Sequence, residues 1–226
     1  MQLTFHGHAC MMLTTDEGKQ ILVDPWIDGN PQTDLDLDVK CDAILVTHGH
    51  HDHSGDMIEI SKRNNAPIIG MPELVHYAQS QGAPEGHPMN LGGKWTFDFG
   101  TVKVIHAQHS SSLEINGLPV YMGEACGYMV TADDKTIYFA GDTSNFGDMS
   151  LFGNGFDIDV AVLPIGGNFT MGPEEAASAA KRLKAKHVVP IHYNTFPLIK
   201  QDPTAFAALL PEGVVEIVKP GESVTV

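Results

Sequence analysis

Four short apolar runs of this chain each end, within a few residues, in a histidine or an aspartate. Ala43-Ile44-Leu45-Val46-Thr47 runs into His48-Gly49-His50-His51-Asp52-His53. Val102-Lys103-Val104-Ile105 leads through His106-Ala107-Gln108 to His109. Thr136-Ile137-Tyr138-Phe139-Ala140 stops at Gly141-Asp142, and His187-Val188-Val189-Pro190-Ile191 stops at His192. Short apolar runs bounded by turn residues read as buried strands. Strands of a rigid sheet that end in polar side chains gather them at one edge, where layered folds place their sites. One such ending would be noise. Four, all imidazole or carboxylate, require a fold that brings the strand ends together.

Further strand-like runs fit the same picture. Met1 to Phe5 alternates apolar and polar residues, Asp16-Glu17-Gly18-Lys19 reads as a turn, and Gln20 to Val23 returns, which predicts an N-terminal hairpin. Strands are also expected at Pro67–Gly70, Trp95–Phe99, Gly127–Thr131, Val160–Leu163 and Val214–Val218. Helices are expected at Asp56–Asn64, Pro72–Gln81, Pro173–Ala185 and Pro203–Leu210. The last three open on Pro, with acidic residues following in Pro72-Glu73 and Pro173-Glu174-Glu175, where they favour the positive helix end. Two packed sheets with helices on their outer faces fit this order. No low-complexity segment or Pro- or Ser-rich linker marks a boundary, so residues 1–226 are read as one domain.

Composition excludes several classes. Twenty-eight acidic against 13 basic side chains give a net charge of −15, which repels a phosphate polymer, so no nucleic-acid partner is expected. No apolar run approaches the roughly 20 residues of a membrane helix, and Met1 to Leu13 lacks the basic start of a signal peptide, so a cytoplasmic enzyme with no membrane role is expected. Cys10, Cys41 and Cys126 are odd in number and far apart, which excludes a disulfide framework. Ser110-Ser111-Ser112 lacks the Gly-x-Ser-x-Gly elbow of a serine hydrolase and reads as hydrogen bonding at a strand end.

The four endings instead supply metal ligands. Zinc and similar ions take imidazole nitrogen and carboxylate oxygen at about 2.0–2.2 Å. Two such ions about 3.5–4 Å apart can share a hydroxide and clamp both the attacking and the leaving oxygen of a hydrolysis. The chain offers His48, His50 and His109 for one ion, Asp52, His53 and His192 for the other, and Asp142 as the carboxylate between them. Asp52 is also assigned the catalytic task of orienting the water and passing on its proton. Zn2+ is the expected ion and Mn2+ the runner-up.

His48-x-His50-x-Asp52-His53 after a strand, followed in order by His109, Gly141-Asp142-Thr143 and His192, resembles the metallo-β-lactamase superfamily. The resemblance runs from Asp24 to His192 and implies an α+β fold, a four-layer αβ/βα sandwich with the metals at one edge of the two sheets. It also implies that Asp24, in Val23-Asp24-Pro25, orients ligands from behind. Phe5-His6-Gly7-His8-Ala9 and Pro164 to Pro173 look like the branch of small metal-dependent hydrolases that contains the ascorbate-6-phosphate lactonases.

Hydrolysis of a small lactone or a phosphorylated metabolite is therefore expected. The alternatives are a phosphodiesterase, a thioesterase or β-lactamase, and a metal-binding sensor that turns nothing over. A small-molecule substrate is the expected partner, together with self-association into a homo-oligomer. His8, Asn168, Tyr193 and Asn194 are candidates for the substrate pocket or for support of the ligands, and Asn168 with Thr170 precedes a helix start that can receive an anionic group. His51, His76 and His87 are read as surface or packing residues, and His106 as a weaker candidate than His109.

Overall fold

The computed structural model describes residues 1–226. In chain order its elements are β1 (Gln2–Phe5), β2 (Met11–Thr14), β3 (Gln20–Val23), β4 (Ala43–Leu45), α1 (His51–Ser54), α2 (Met57–Asn64), β5 (Ile68–Gly70), α3 (Pro72–Ser80) and β6 (His87–Pro88). The second half continues with β7 (Lys94–Phe97), β8 (Gly100–His106), β9 (Ser112–Ile115), β10 (Leu118–Tyr121), β11 (Cys126–Ala132), β12 (Lys135–Phe139), α4 (Met149–Gly155), β13 (Val160–Pro164), α5 (Pro173–Leu183), β14 (His187–Ile191), α6 (Pro203–Ala207) and β15 (Ser223–Thr225). A 3-10 turn, Pro197–Ile199, lies between β14 and α6.

One sheet has the order β15-β1-β2-β3-β4-β5-β6, the other β14-β13-β12-β11-β8-β7, and β9 and β10 form a separate hairpin. The two large sheets share a plan. β1, β2 and β3 are antiparallel and β3, β4 and β5 parallel. Likewise β8, β11 and β12 are antiparallel and β12, β13 and β14 parallel. Because β1 and β3 both oppose β2, and β8 and β12 both oppose β11, β1, β3 and β4 run one way in their sheet, and β8, β12 and β14 do so in theirs. Ligands of open α/β sheets sit outside the carboxyl ends of such strands.

Alternation along the strands builds the layers. Met11, Leu13, Ile21, Val23, Ala43 and Leu45 of the first sheet share one apolar cluster with Val102, Val104, Tyr128, Val130, Ile137 and Phe139 of the second, so this cluster lies between the sheets. The alternate residues Met12, Leu22 and Ile44 pack with Ile60, Leu74 and Val75 of α2 and α3. Met129, Tyr138 and Ala161 pack with Met149 of α4, Ala176, Ala179 and Ala180 of α5, and Phe206 of α6. The result is the expected four-layer sandwich, with helices outside both sheets. Burial on both faces makes these strands read as continuous apolar runs, without a polar alternation.

The structure corrects the expected elements in places. The turn at Asp16–Lys19 joins β2 to β3, so the hairpin is Met11–Val23 and β1 pairs beside it. Val214–Val218 forms only an isolated bridge, Val188 with Val215. The helix begun at Pro173 ends at Leu183 because Lys184 turns left-handed, with φ 53°. The three cysteines are free and buried. No helix is long and apolar enough to cross a membrane.

Candidate metal centre

β4 delivers His48 through Val46 and Thr47, and the short α1 carries Asp52 and His53. β8 leads to His109, β12 to Asp142 and β14 to His192. The exits are tight. Gly141 takes φ +59°, and a Cβ there would stand 2.7 Å from Thr47 Cβ, so the end of β12 passes closer to β4 than any side chain permits. His8, Asp24 and His192 adopt left-handed φ of 57°, 49° and 57°. Such strained backbone is held in place only where the surrounding structure demands it.

The seven expected ligands come together. The ligand atoms of His48, His50 and His109 lie within 4.8 Å of one another, as do those of Asp52, His53 and His192, with His8 beside them. Asp142 stands between the sets. Its Oδ2 is 4.0 Å from His48 Nε2, 3.5 Å from His109 Nε2 and 3.1 Å from His192 Nε2, while Oδ1 is 3.2 Å from His53 Nε2. Close as they are, the buried His53 Nε2, His192 Nε2 and Asp142 Oδ1 make no hydrogen bond. They are near but misaligned, and they face a shared space. Buried polar atoms left unpaired in this way are rare. A tetrahedral ion with ligands at 2.0–2.1 Å spaces them about 3.3 Å apart, which is the range seen here. The donor set therefore fits divalent cations.

Behind the ligands, Asp24 is buried and accepts three hydrogen bonds: from Thr47 N at 2.8 Å, Thr47 Oγ1 at 2.7 Å and His53 Nδ1 at 2.8 Å. With its own proton committed to Asp24, Thr47 Oγ1 accepts from His48 Nδ1 at 3.0 Å. This network places a proton on Nδ1 of both imidazoles and turns Nε2 of each inward. One carboxylate thus orients a histidine of each set, the role the resemblance implied for Asp24. Ser111 Oγ accepts from Gly49 N at 3.1 Å and ties the loop after β8 to the His48–His50 turn.

His8 does not offer a lone pair to the centre. Burial, the largest influence on it, pushes the imidazole down to about 4, so it is neutral at pH 7. Nδ1 faces Thr195 Oγ1 at 2.8 Å, and Nε2–H donates to Asp52 Oδ2 at 3.1 Å. His8 therefore holds Asp52.

Electrostatics divide the histidines. Burial lowers His48, His50 and His109, which keeps them neutral. Burial would also lower His53 and His192, but carboxylates outweigh it. Asp142 and Asp24 raise His53 well above its usual range, and Asp142 and Asp52 raise His192 to about 9. The carboxylates respond in the opposite direction. Burial would raise Asp52 and Asp142, but the neighbouring imidazoles, His192 foremost for both, hold them below the usual carboxylate range.

A cavity of about 710 Å³ opens over this centre, lined by the polar His50, Asp52, His109, Ser110, Asp142 and His192 and by the apolar Phe169, Phe196, Pro197 and Leu198. Three expected pocket residues are elsewhere. Asn168 is exposed on the turn before α5, and its neighbour Phe169 lines the cavity instead. Tyr193 packs against the apolar cluster beneath α5. Asn194, with φ 61°, accepts from Gln201 N at 2.8 Å and shapes a turn. Left-handed residues at 192 and 194 reverse the chain, so adjacency to His192 in sequence does not place residues 193 and 194 in the pocket. His51 and His76 are exposed, His87 packs on Trp95 and Phe97, and His106 meets Phe146, all outside the centre.

Comparison with known proteins agrees with this geometry. The sequence pattern of a family described as a β-lactamase superfamily domain matches residues 19–193. The chain belongs to the metallo-β-lactamase superfamily. Its relatives within that superfamily include a UPF0173 metal-dependent hydrolase of a Geobacillus species, 54% identical over 99% of both chains. Another, from Enterococcus faecalis, is 50% identical over the full length of both. Among solved structures, Igni18, a metallo hydrolase of the archaeon Ignicoccus hospitalis, is 35% identical with a TM-score of 0.86, covering 99% of this chain and 97% of that one.

Proposed function

We propose that this protein is a metal-dependent hydrolase that uses two divalent ions to cleave an ester-type bond, with a small lactone as the favoured substrate. The observation that supports this most is the buried carboxylate of Asp142, set between two groups of imidazoles, its Oδ1 and the Nε2 atoms of His53 and His192 all without a hydrogen-bond partner. His48, His50 and His109 would hold one ion, Asp52, His53 and His192 the other, and Asp142 would touch both. Zn2+ suits this imidazole-rich set best and Mn2+ next. Ions bound there supply Lewis acidity and a water of lowered pKa.

The chain's own residues do the rest. Asp24 and Thr47 accept the Nδ1 protons of His53 and His48 in hydrogen bonds, so that Nε2 is the nitrogen each ring would present to an ion. Asp52 remains a carboxylate at neutral pH and lines the cavity, where it accepts a hydrogen bond from the attacking water and orients it. His8 fixes Asp52 from behind. Phe169, Phe196, Pro197 and Leu198 give the cavity an apolar surface beside these groups. The test is a hydrolysis panel on metal-loaded protein, small lactones beside aryl phosphodiesters, with Asp142→Asn as the blank. Lactone turnover lost in the variant supports the reading. Phosphodiester turnover alone would replace the substrate, and no turnover of any ester would leave the alternative of a metal-binding sensor.

A further inference from the structure

The apolar part of the cavity lining has its own chemistry. Phe169 comes from the turn before α5, and Phe196, Pro197 and Leu198 from the 3-10 turn after β14. Phe169 is 50% and Leu198 66% exposed, and neither joins any of the apolar clusters of the core. Packing therefore does not explain them. Phe196 stacks on Trp26, with ring centroids 5.7 Å apart, and meets His8 edge-on, so this part of the wall is rigid.

Charge around the cavity points the same way. No Lys or Arg lines it, and its polar lining is Ser110 plus residues assigned above to the metals. The nearby start of α5, expected from sequence to receive an anionic group, already holds one. Glu175 accepts from Gly172 N at 3.3 Å, and Glu174 stands beside it in the first turn. On a chain of net charge −15, an anionic substituent finds repulsion there and no cationic side chain in the pocket. Specific anion sites use Arg, Lys or a free helix start.

Resting on the hydrolase reading above, we infer that the substrate is an uncharged ester or lactone with an apolar substituent that lies against Phe169, Phe196, Pro197 and Leu198. On this wall a phosphate or carboxylate substituent meets apolar side chains and no Lys or Arg. A cavity of about 710 Å³ accommodates a substituent of several carbons.

The experiment uses full-length protein loaded with Zn2+ and two series of probes. One is straight-chain alkyl hydroxamates from two to eight carbons, each with a counterpart ending in a carboxylate. The other is 4-nitrophenyl esters of the same acids. Inhibition constants and calorimetric binding of the hydroxamates are measured together with ester kcat/KM, for the parent and for Leu198→Asp. Each added methylene should tighten hydroxamate binding about three- to fourfold until the wall is covered. A terminal carboxylate should weaken it at least tenfold, and Leu198→Asp should flatten the dependence on chain length. Binding independent of chain length, or preference for the carboxylate probes, overturns the inference while leaving the hydrolase reading intact. So does a Leu198→Asp variant that changes only the oligomeric state by light scattering, which would make the patch an interface between copies. Metal-loaded protein that binds no hydroxamate and cleaves no ester overturns both.

Discussion

Replacing Asp24 by Asn changes one atom and should disable both halves of the metal centre. The carboxylate accepts from Thr47 N on one oxygen and from Thr47 Oγ1 and His53 Nδ1 on the other. An amide can keep its oxygen toward Thr47 N, since the opposite flip would set NH2 against that N–H. The NH2 group then faces Thr47 Oγ1 and His53 Nδ1 and must donate to them. His53 responds by moving its proton to Nε2, where a lone pair is needed. Thr47, now accepting from the amide, turns its own proton to His48 Nδ1 and forces the same change on His48. Changes behind metal ligands typically reduce affinity 10–100-fold, or about 1.4–2.8 kcal/mol. Metal-free protein also loses a hydrogen bond to a buried charge, about 2–3 kcal/mol, which lowers Tm by roughly 5–10 °C in a chain of this size. A folded domain has about 5–15 kcal/mol in reserve, so the variant still folds. Chelator competition reads the affinity and thermal unfolding of the metal-free protein reads the stability. Wild-type affinity at both sites would refute the tautomer argument.

Other consequences are briefer. Gly141→Ala places a Cβ 2.7 Å from Thr47 Cβ at φ +59°, so urea unfolding should show a loss of about 1–3 kcal/mol, accompanied by lower metal content because Asp142 is adjacent. Metal-free protein holds protons on His53 and His192 at pH 7, so loading with Zn2+ at that pH should release protons, roughly one from each, read by calorimetry in buffers of different ionisation enthalpy. Both groups are raised in the folded state. Their contribution to the stability of the metal-free protein is therefore full below about 6.5 and lost as pH rises, for His192 through about 9. His8, His48, His50 and His109 are lowered and act in the opposite sense, but only below about 6.5, so unfolding scans from pH 7 to 9 should show falling stability without metal.

The layered fold and the gathered ligands were legible because both rest on strand endings. Ala43–Val46, Val102–Ile105, Thr136–Ala140 and His187–Ile191 had to meet at one edge, and the shared direction of β4, β8, β12 and β14 within their sheets does this. Met11–Thr14 escaped notice as a strand because it is buried on both faces and carries no alternation. The pocket wall was not legible either. Proximity to His192 in sequence suggested Tyr193 and Asn194, but left-handed φ at 192 and 194 turns the chain and presents Phe196, Pro197 and Leu198 instead. The signal available was Phe196-Pro197-Leu198 itself, large apolar residues in a loop directly after a ligand. His8 and Asp24 were identified by resemblance. What they do follows only from their partners, Asp52 and Thr195 for one and Thr47 and His53 for the other.

The central claim, two divalent ions on either side of Asp142, is tested most directly by anomalous diffraction at the metal edge on crystals of the metal-loaded protein. The account predicts two peaks about 3.5–4 Å apart, one among His48, His50 and His109 and the other among Asp52, His53 and His192. One peak, or peaks away from the Asp142 carboxylate, would contradict it.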